Sequence, residues 1–304
     1  DEIKLKLFNV QIINDLSWKK ILNKCVPPLD KEYDIVLNFF LPFDLSIDKV
    51  NTKIKVGWIH TDYTVEKNDL NDLYRQYSKM DYIAAVSDQV KNSFIQIFPN
   101  LESKVIVIEN ILLPEYILKQ SKMLSVNQEM DDNCVKLLSI GRFCTAKNFD
   151  NVPAICKYII DRGLNIKWYI IGYGGDEQLI KDKIQEYDMS DHVIILGKKE
   201  NPYPYIKACD YYIQPSRYEG KAVTVREAQI LCKPVIITDY PTSKSQIDNG
   251  VDGVIVPMDN EKCAQGIIDF IKNKSLQQKI VQYLQEHDYS NASEVEKIYQ
   301  LMED

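Results

Sequence analysis

The 304-residue chain is poor in the residues that build metal and redox centres. Histidine occurs three times, at His60, His192 and His287, and no two lie close enough in sequence to suggest a ligand pair, so neither a zinc site nor any other metal is expected. The seven cysteines, Cys25, Cys134, Cys144, Cys156, Cys209, Cys232 and Cys263, are scattered and form no CxxC pair. They read as buried reduced thiols of a cytosolic protein rather than a disulfide framework. With 11 glycines the chain carries no Walker loop and no good GxGxxG fingerprint, which argues against ATPases and nicotinamide enzymes. No run approaches the ~20 apolar residues of a membrane span, and no signal peptide opens the sequence. A cytoplasmic location is expected. Acidic residues outnumber basic ones by 44 to 37, giving a net charge of −7, against the basic face that general nucleic-acid binding needs.

What is present is an ordinary globular composition, 45% hydrophobic and 27% charged, with length for two domains that each bury a core. In the first half, apolar runs at 33–40, 54–59, 82–86 and 105–108 predict strands, and helical periodicity fills 68–80 and 87–98. This βαβ alternation implies a parallel sheet with right-handed crossovers. A first Rossmann-like domain is expected over 1–125. It reads as incomplete at its start, because no glycine-rich first turn precedes Tyr33 and the chain opens Asp1-Glu2-Ile3 without methionine. Trp18-Lys19-Lys20-Ile21-Leu22 reads either as an amphipathic segment in peripheral contact with an anionic membrane surface or as a buried helix. Polar residues over 121–133 mark a connector.

The second half has a firmer beat, with apolar runs at 135–140, 166–171, 193–196, 211–213, 235–237 and 253–256. Helical segments fall near 148–162, 176–187, 202–208, 223–232 and 243–248. Six strands with helical crossovers predict a second Rossmann-like domain over 133–285. Three helices, 261–272, 275–286 and 292–302, close the chain.

Chemistry-bearing residues gather at the predicted strand ends. Gly141 lets the chain turn after the first strand, and Arg142 and Lys147 put two cations over the crevice, as a diphosphate requires; alone, they also read as solvated surface charges. Gly172-Tyr173-Gly174-Gly175 is either a close approach for a ligand or a tight turn. After Pro215 come Glu219 and Glu227, the first at a loop entrance and the second inside the following helix. Ionised carboxylates accept several hydroxyl donors at once, so the pair suits a polyhydroxylated ligand. Gly220, Lys221, Ala222 and Val223 would offer helix-start N–H groups to phosphate, with the Lys221 charge assisting if it turns inward.

The ordered set Ser-Ile-Gly-Arg-Phe-x-x-x-Lys-Asn, Ile-Ile-Gly-Tyr-Gly, Asn201-Pro202-Tyr203, Glu219-x7-Glu227, Lys233-Pro234-Val235-Ile236 and Gly250-Val251-Asp252-Gly253 resembles the donor half of the retaining family 4, or group 1, glycosyltransferases of bacterial surface-polysaccharide type. The resemblance implies an α/β GT-B fold, two doubly wound Rossmann-like domains facing across a cleft, with residues 286–304 crossing back to the N-terminal domain. It implies a nucleotide-sugar donor, UDP-linked by preference, and a glycan or lipid-linked glycan acceptor. Arg142 and Lys147 would neutralise the diphosphate, Glu227 would bind the ribose and Glu219 would lie by the sugar. Gly141, Gly172, Asn201 and the 220–223 loop would complete the donor site. Lys55-Val56-Gly57-Trp58-Ile59-His60 resembles the family's strand-end histidine segment, which places His60 beside the transferred sugar. No cofactor or metal is required, because the cations and helix N–H groups stabilise a leaving group that is already good. A non-catalytic sugar-nucleotide-binding subunit and a GT-B sugar-nucleotide epimerase are the alternatives.

Overall fold

A computed structural model describes residues 24–41, 43–61, 63–64, 69–130 and 133–303. The Trp18 to Leu22 segment and most of the stretch searched for a first glycine turn lie outside them. The described residues form two compact units. One takes the described parts of 1–59, 66–108 and 298–304; the other takes those of 60–65 and 109–297. The division after Ile108 lies upstream of the polar connector expected at 121–133. Its cause is a helix not foreseen from the sequence, Pro114–Gln120, which packs on two helices of the second unit, Tyr203–Ala208 and Val223–Ile230.

In the first unit, β1 (Glu32–Asn38), β2 (Asn51–Ile59), β3 (Tyr82–Ala85) and β4 (Val105–Val107) pair in that order, all parallel. Helices Leu70–Tyr77 and Asp88–Ile97 connect the later strands, each started by a side-chain cap, Asp69 accepting from Asn71 and Asp72 N–H and Ser87 from Val90 N–H, which removes otherwise orphaned donors. Phe43, Tyr77 and Phe94 pack edge to face in the core. Gly57 is required beneath them, since a Cβ there would stand 2.7 Å from the Phe43 ring.

The second unit holds β5 (Val135–Ile140), β6 (Ile166–Ile171), β7 (Val193–Gly197), β8 (Tyr211–Gln214), β9 (Val235–Thr238) and β10 (Val254–Val256). They form one parallel sheet in the order β10-β9-β8-β5-β6-β7. Alternate residues of each strand enter two different cores. Leu137, Trp168 and Ile170 join helices 152–161, 177–186, 260–272 and 274–286 on one face. Leu138, Tyr169 and Ile171 join helices 203–208 and 223–230 on the other. Burial on both faces is why these strands read as unbroken apolar runs. The chain reverses its direction of travel across the sheet between β5 and β8, and in such doubly wound sheets ligands bind at the carboxyl ends of the strands flanking that switch.

Candidate functional site

The loops leaving β5 and β8 meet at this switch and are tied together. Asn148 adopts a left-handed backbone (φ 58°), is 2% exposed, and donates through Nδ2 to Pro215 O at 2.8 Å. Arg217 N–H donates to Ala146 O at 2.8 Å. Its guanidinium donates to Thr145 O and to both carboxylate oxygens of Asp150, at 2.7, 2.9 and 2.7 Å. A planar fork on a carboxylate fixes direction as well as distance, so the two loops hold one relative geometry.

That geometry brings Lys147 against Glu219. Lys147 Nζ lies 2.6 Å from Glu219 Oε1, with the two side chains only 19% and 11% exposed. The lysine stem crosses bare backbone, since a Cβ on Gly141 would stand 3.0 Å from its Cε. Two further donors reach the same oxygen, Ser216 Oγ at 2.5 Å and Gln214 Nε2 at 3.1 Å. Among the described residues no hydrogen bond ends on Glu219 Oε2. One oxygen is anchored and the other is left to accept.

Glu227 lies in the first two turns of helix Val223–Ile230 and is 8% exposed. Its Oε1 accepts from the Tyr203 hydroxyl at 3.1 Å, its one hydrogen-bond partner among the described residues. Burial raises its carboxyl above the ordinary carboxylate value, and the Tyr203 bond opposes that rise in part. Tyr203 stacks edge to face on Tyr116 of helix Pro114–Gln120; burial first, then Glu227, raises its hydroxyl.

The loop between the carboxylates is built by close approach. A Cβ on Gly220 would lie 2.0 Å from His60 O and 3.2 Å from Thr61 N, so only glycine lets the His60 segment reach this loop. His60, half-buried, follows β2 directly and belongs to the same compact unit as Gly220. Lys221 pairs through Nζ with Glu109. Ala222 N–H is already taken, donating to Gln246 Oε1 at 2.7 Å. Lys221, Ala222, Val223 and Gln246 line a separate cavity of about 180 Å³ with Arg226 and Tyr289. The helix start thus offers fewer free groups to a ligand beside Lys147 than the four residues 220–223 suggested.

The remaining expected residues divide similarly. Arg142 is exposed and makes no ion pair among the described residues, leaving its charge available. Gly172 is explained by its neighbour, since a Cβ there would overlap Gly141 O at 1.9 Å; Gly174 likewise abuts the Phe143 backbone at 2.3 Å. Both glycines serve the packing of adjacent strand-end turns. Asn201 donates to Gln120 O and Oε1 and accepts from Tyr203 N–H, work that starts helix Tyr203–Ala208 and holds helix Pro114–Gln120. In the Gly250 to Gly253 stretch, Gly250 takes φ 84° and Asp252 accepts from Asp248 N–H at 2.8 Å, closing a turn before β10.

The seven cysteines carry no disulfide. Cys156, Cys209 and Cys263 are buried, and desolvation pushes each thiol up to about 12, which leaves them unreactive. Among the described residues no cluster of three or more His, Cys, Asp or Glu side chains is placed to hold a metal ion, and no helix is long and apolar enough to cross a membrane. The sequence pattern assigns no role to Gln214, Ser216, Tyr203, Arg217 or Gln246. A glutamine closing the otherwise apolar run Tyr211-Tyr212-Ile213 was the visible signal, because a buried amide must find partners.

Similar proteins carry the same architecture. The Anabaena protein HepE, solved with UDP and glucose, superposes with a TM-score of 0.75 at 16% identity, covering 89% of this chain and 78% of that one. A glycosyltransferase of Methanocaldococcus jannaschii is 27% identical over 227 residues, 69% of this chain and 56% of its own length. The N-acetylgalactosamine-N,N'-diacetylbacillosaminyl-diphospho-undecaprenol 4-alpha-N-acetylgalactosaminyltransferase of Campylobacter jejuni is 24% identical over 221 residues, 69% of this chain and 58% of its own length. The chain thus spans less than two thirds of either relative. The fold is that of the GT-B glycosyltransferases. The profile of the group 1 glycosyl transferases matches residues 124–287, more than half of the sequence, and the chain belongs to that family.

Proposed function

We propose that this chain transfers a sugar, with retention, from a nucleoside diphosphate sugar to a glycan acceptor, and that the donor lies along the carboxyl ends of β5 and β8. The observation that carries the reading is the contact of Lys147 with Glu219 at the switch point, held by the Asn148 and Arg217 ties, with Glu227 in the helix that follows the Glu219 loop. Arg142 and Lys147 offset the diphosphate charge. Glu227, with one oxygen anchored by Tyr203, accepts from the ribose hydroxyls. Glu219 accepts from the sugar through Oε2, and His60 approaches that sugar from the segment lying on Gly220. A uridine nucleotide is favoured, since HepE was solved with UDP.

In the transfer, the bond between the sugar C1 and the diphosphate oxygen breaks while the acceptor oxygen bonds to C1 on the same face. The acceptor proton passes to the departing phosphate oxygen, so no side chain acts as nucleophile. Lys147 and Arg142 stabilise the charge that develops on the diphosphate, an electrostatic role preorganised by the fold; no bound metal is assigned a part. A lipid-linked glycan acceptor, and hence peripheral contact with a membrane, is supported by the undecaprenol-linked substrate in the Campylobacter relative's name. The test is UDP release from a panel of UDP-sugars with and without lipid-linked glycans, product configuration being read by NMR. Release that depends on acceptor and yields the donor's own anomeric configuration is expected. An inverted product would overturn retention, and no turnover with any donor would overturn the transferase.

A further inference from the structure

Gln214 ends β8 with its side chain fully buried, in a strand whose other residues are Tyr211, Tyr212 and Ile213. A leucine would fill that position without a desolvation cost, whereas a buried amide is tolerated only when bonded. Gln214 is bonded through both ends. Its Oε1 accepts from the Tyr212 hydroxyl at 2.9 Å and from Thr224 Oγ1 at 3.3 Å. Its Nε2 donates to Ser216 Oγ at 2.8 Å and to Glu219 Oε1 at 3.1 Å. Ser216, also fully buried, donates its hydroxyl hydrogen bond to Glu219 Oε1. The donors of Gln214 and Ser216 therefore end on one oxygen of one carboxylate, with the Tyr212 hydroxyl behind them on Gln214 Oε1, and linked hydrogen bonds of this kind strengthen one another.

We infer that Gln214 is a positioning residue that pins Glu219 by Oε1 and so presents Oε2 to the substrate while Lys147 exchanges between Glu219 and the donor. The inference rests on the transferase reading and deepens it. Of the three donors on Oε1, Lys147 is the one on a long flexible stem and the one a diphosphate attracts. Gln214, at the buried end of β8, and Ser216, buried two residues beyond it, are fixed. When Lys147 moves to phosphate, these two keep the carboxylate from turning with it.

Two substitutions test this on the full chain, using UDP release from the UDP-sugar that the wild type turns over fastest. Gln214→Met keeps the volume and removes the donor. The expected outcome is a kcat lower by about tenfold to a hundredfold, the effect of removing one hydrogen bond to a charged group. UDP affinity should stay within about twofold, which also reports that the fold is intact. Gln214→Glu keeps the shape but donates only when protonated, because two carboxylates about 3 Å apart cannot both ionise. Its activity relative to wild type should be low at pH 8 and climb as pH falls toward 6. A purely structural role predicts no such tilt. Wild-type kcat in Gln214→Met, or a Gln214→Glu profile parallel to wild type, overturns the inference; should the methionine variant fail to fold, the glutamate profile decides alone. If the wild type releases UDP from no sugar nucleotide, the transferase reading itself fails before either variant is consulted.

Discussion

Replacing Glu219 by glutamine should tighten the binding of UDP while stopping transfer. Lys147 Nζ sits 2.6 Å from Glu219 Oε1, and the pair is largely withdrawn from solvent, so a diphosphate must compete with that carboxylate for the lysine. Glutamine keeps the length, and its carbonyl oxygen still accepts from Ser216 and Gln214. What it removes is the charge that holds Lys147. A hydrogen bond between charged groups contributes roughly 1.5–3 kcal/mol, and about 1.4 kcal/mol corresponds to a tenfold change in affinity. The Glu219→Gln variant should therefore bind UDP about tenfold to a hundredfold more tightly by calorimetry, with kcat reduced because the amide nitrogen that replaces Oε2 donates and cannot accept from the sugar hydroxyl. In a double-mutant cycle the gain should vanish when Lys147→Met is present as well, since the two residues are directly coupled. Unchanged or weaker UDP affinity in Glu219→Gln would refute the competition and the position assigned to the diphosphate.

Burial raises the Glu227 carboxyl, so the folded state favours its protonated form. The stability this contributes is present below the unfolded pKa and is lost as pH rises through the folded one. Glu227→Gln should match the wild type in thermal stability near pH 4 and exceed it at pH 7, measured as Tm against pH; parallel curves would contradict the raised value. The same variant should bind UDP more weakly, a gain in stability opposed to function. Gly220→Ala places a methyl 2.0 Å from His60 O and should cost about 1–3 kcal/mol in urea unfolding, the range for overpacking; an unchanged midpoint would show that the His60 segment does not lie there. Arg217→Met cuts the bonds to Thr145 and Asp150 and should weaken UDP binding although no role of ligand contact is assigned to Arg217.

The sheet of the second unit was legible because its strands are buried on both faces and end in glycine, proline or charge, as at Ile140-Gly141 and Gln214-Pro215. The helix Pro114–Gln120 was not, because it is short, opens on proline and leaves Tyr116 and Leu118 exposed, which blurs its periodicity. The approach of Lys147 to Glu219 could be expected in advance, since a doubly wound topology brings the ends of β5 and β8 together whatever lies between. Partner choice was not readable. Nothing in Lys221 says that it faces Glu109, nor in Ala222 that Gln246 has taken its N–H, because both depend on a side chain delivered from a distant loop. Nor does the sequence show that the Asn201 side chain bonds Gln120 and the Tyr203 N–H, or that Gly172 lies against the Gly141 backbone.

The central claim, that the switch point of the second unit is a nucleotide-sugar donor site, is tested most directly by calorimetric titration of UDP into the wild type, Lys147→Ala and Glu227→Ala. The account predicts saturable binding by the wild type and affinity weaker by about tenfold or more in each variant, the loss of one charge-assisted contact. Equal affinity in all three proteins would contradict it.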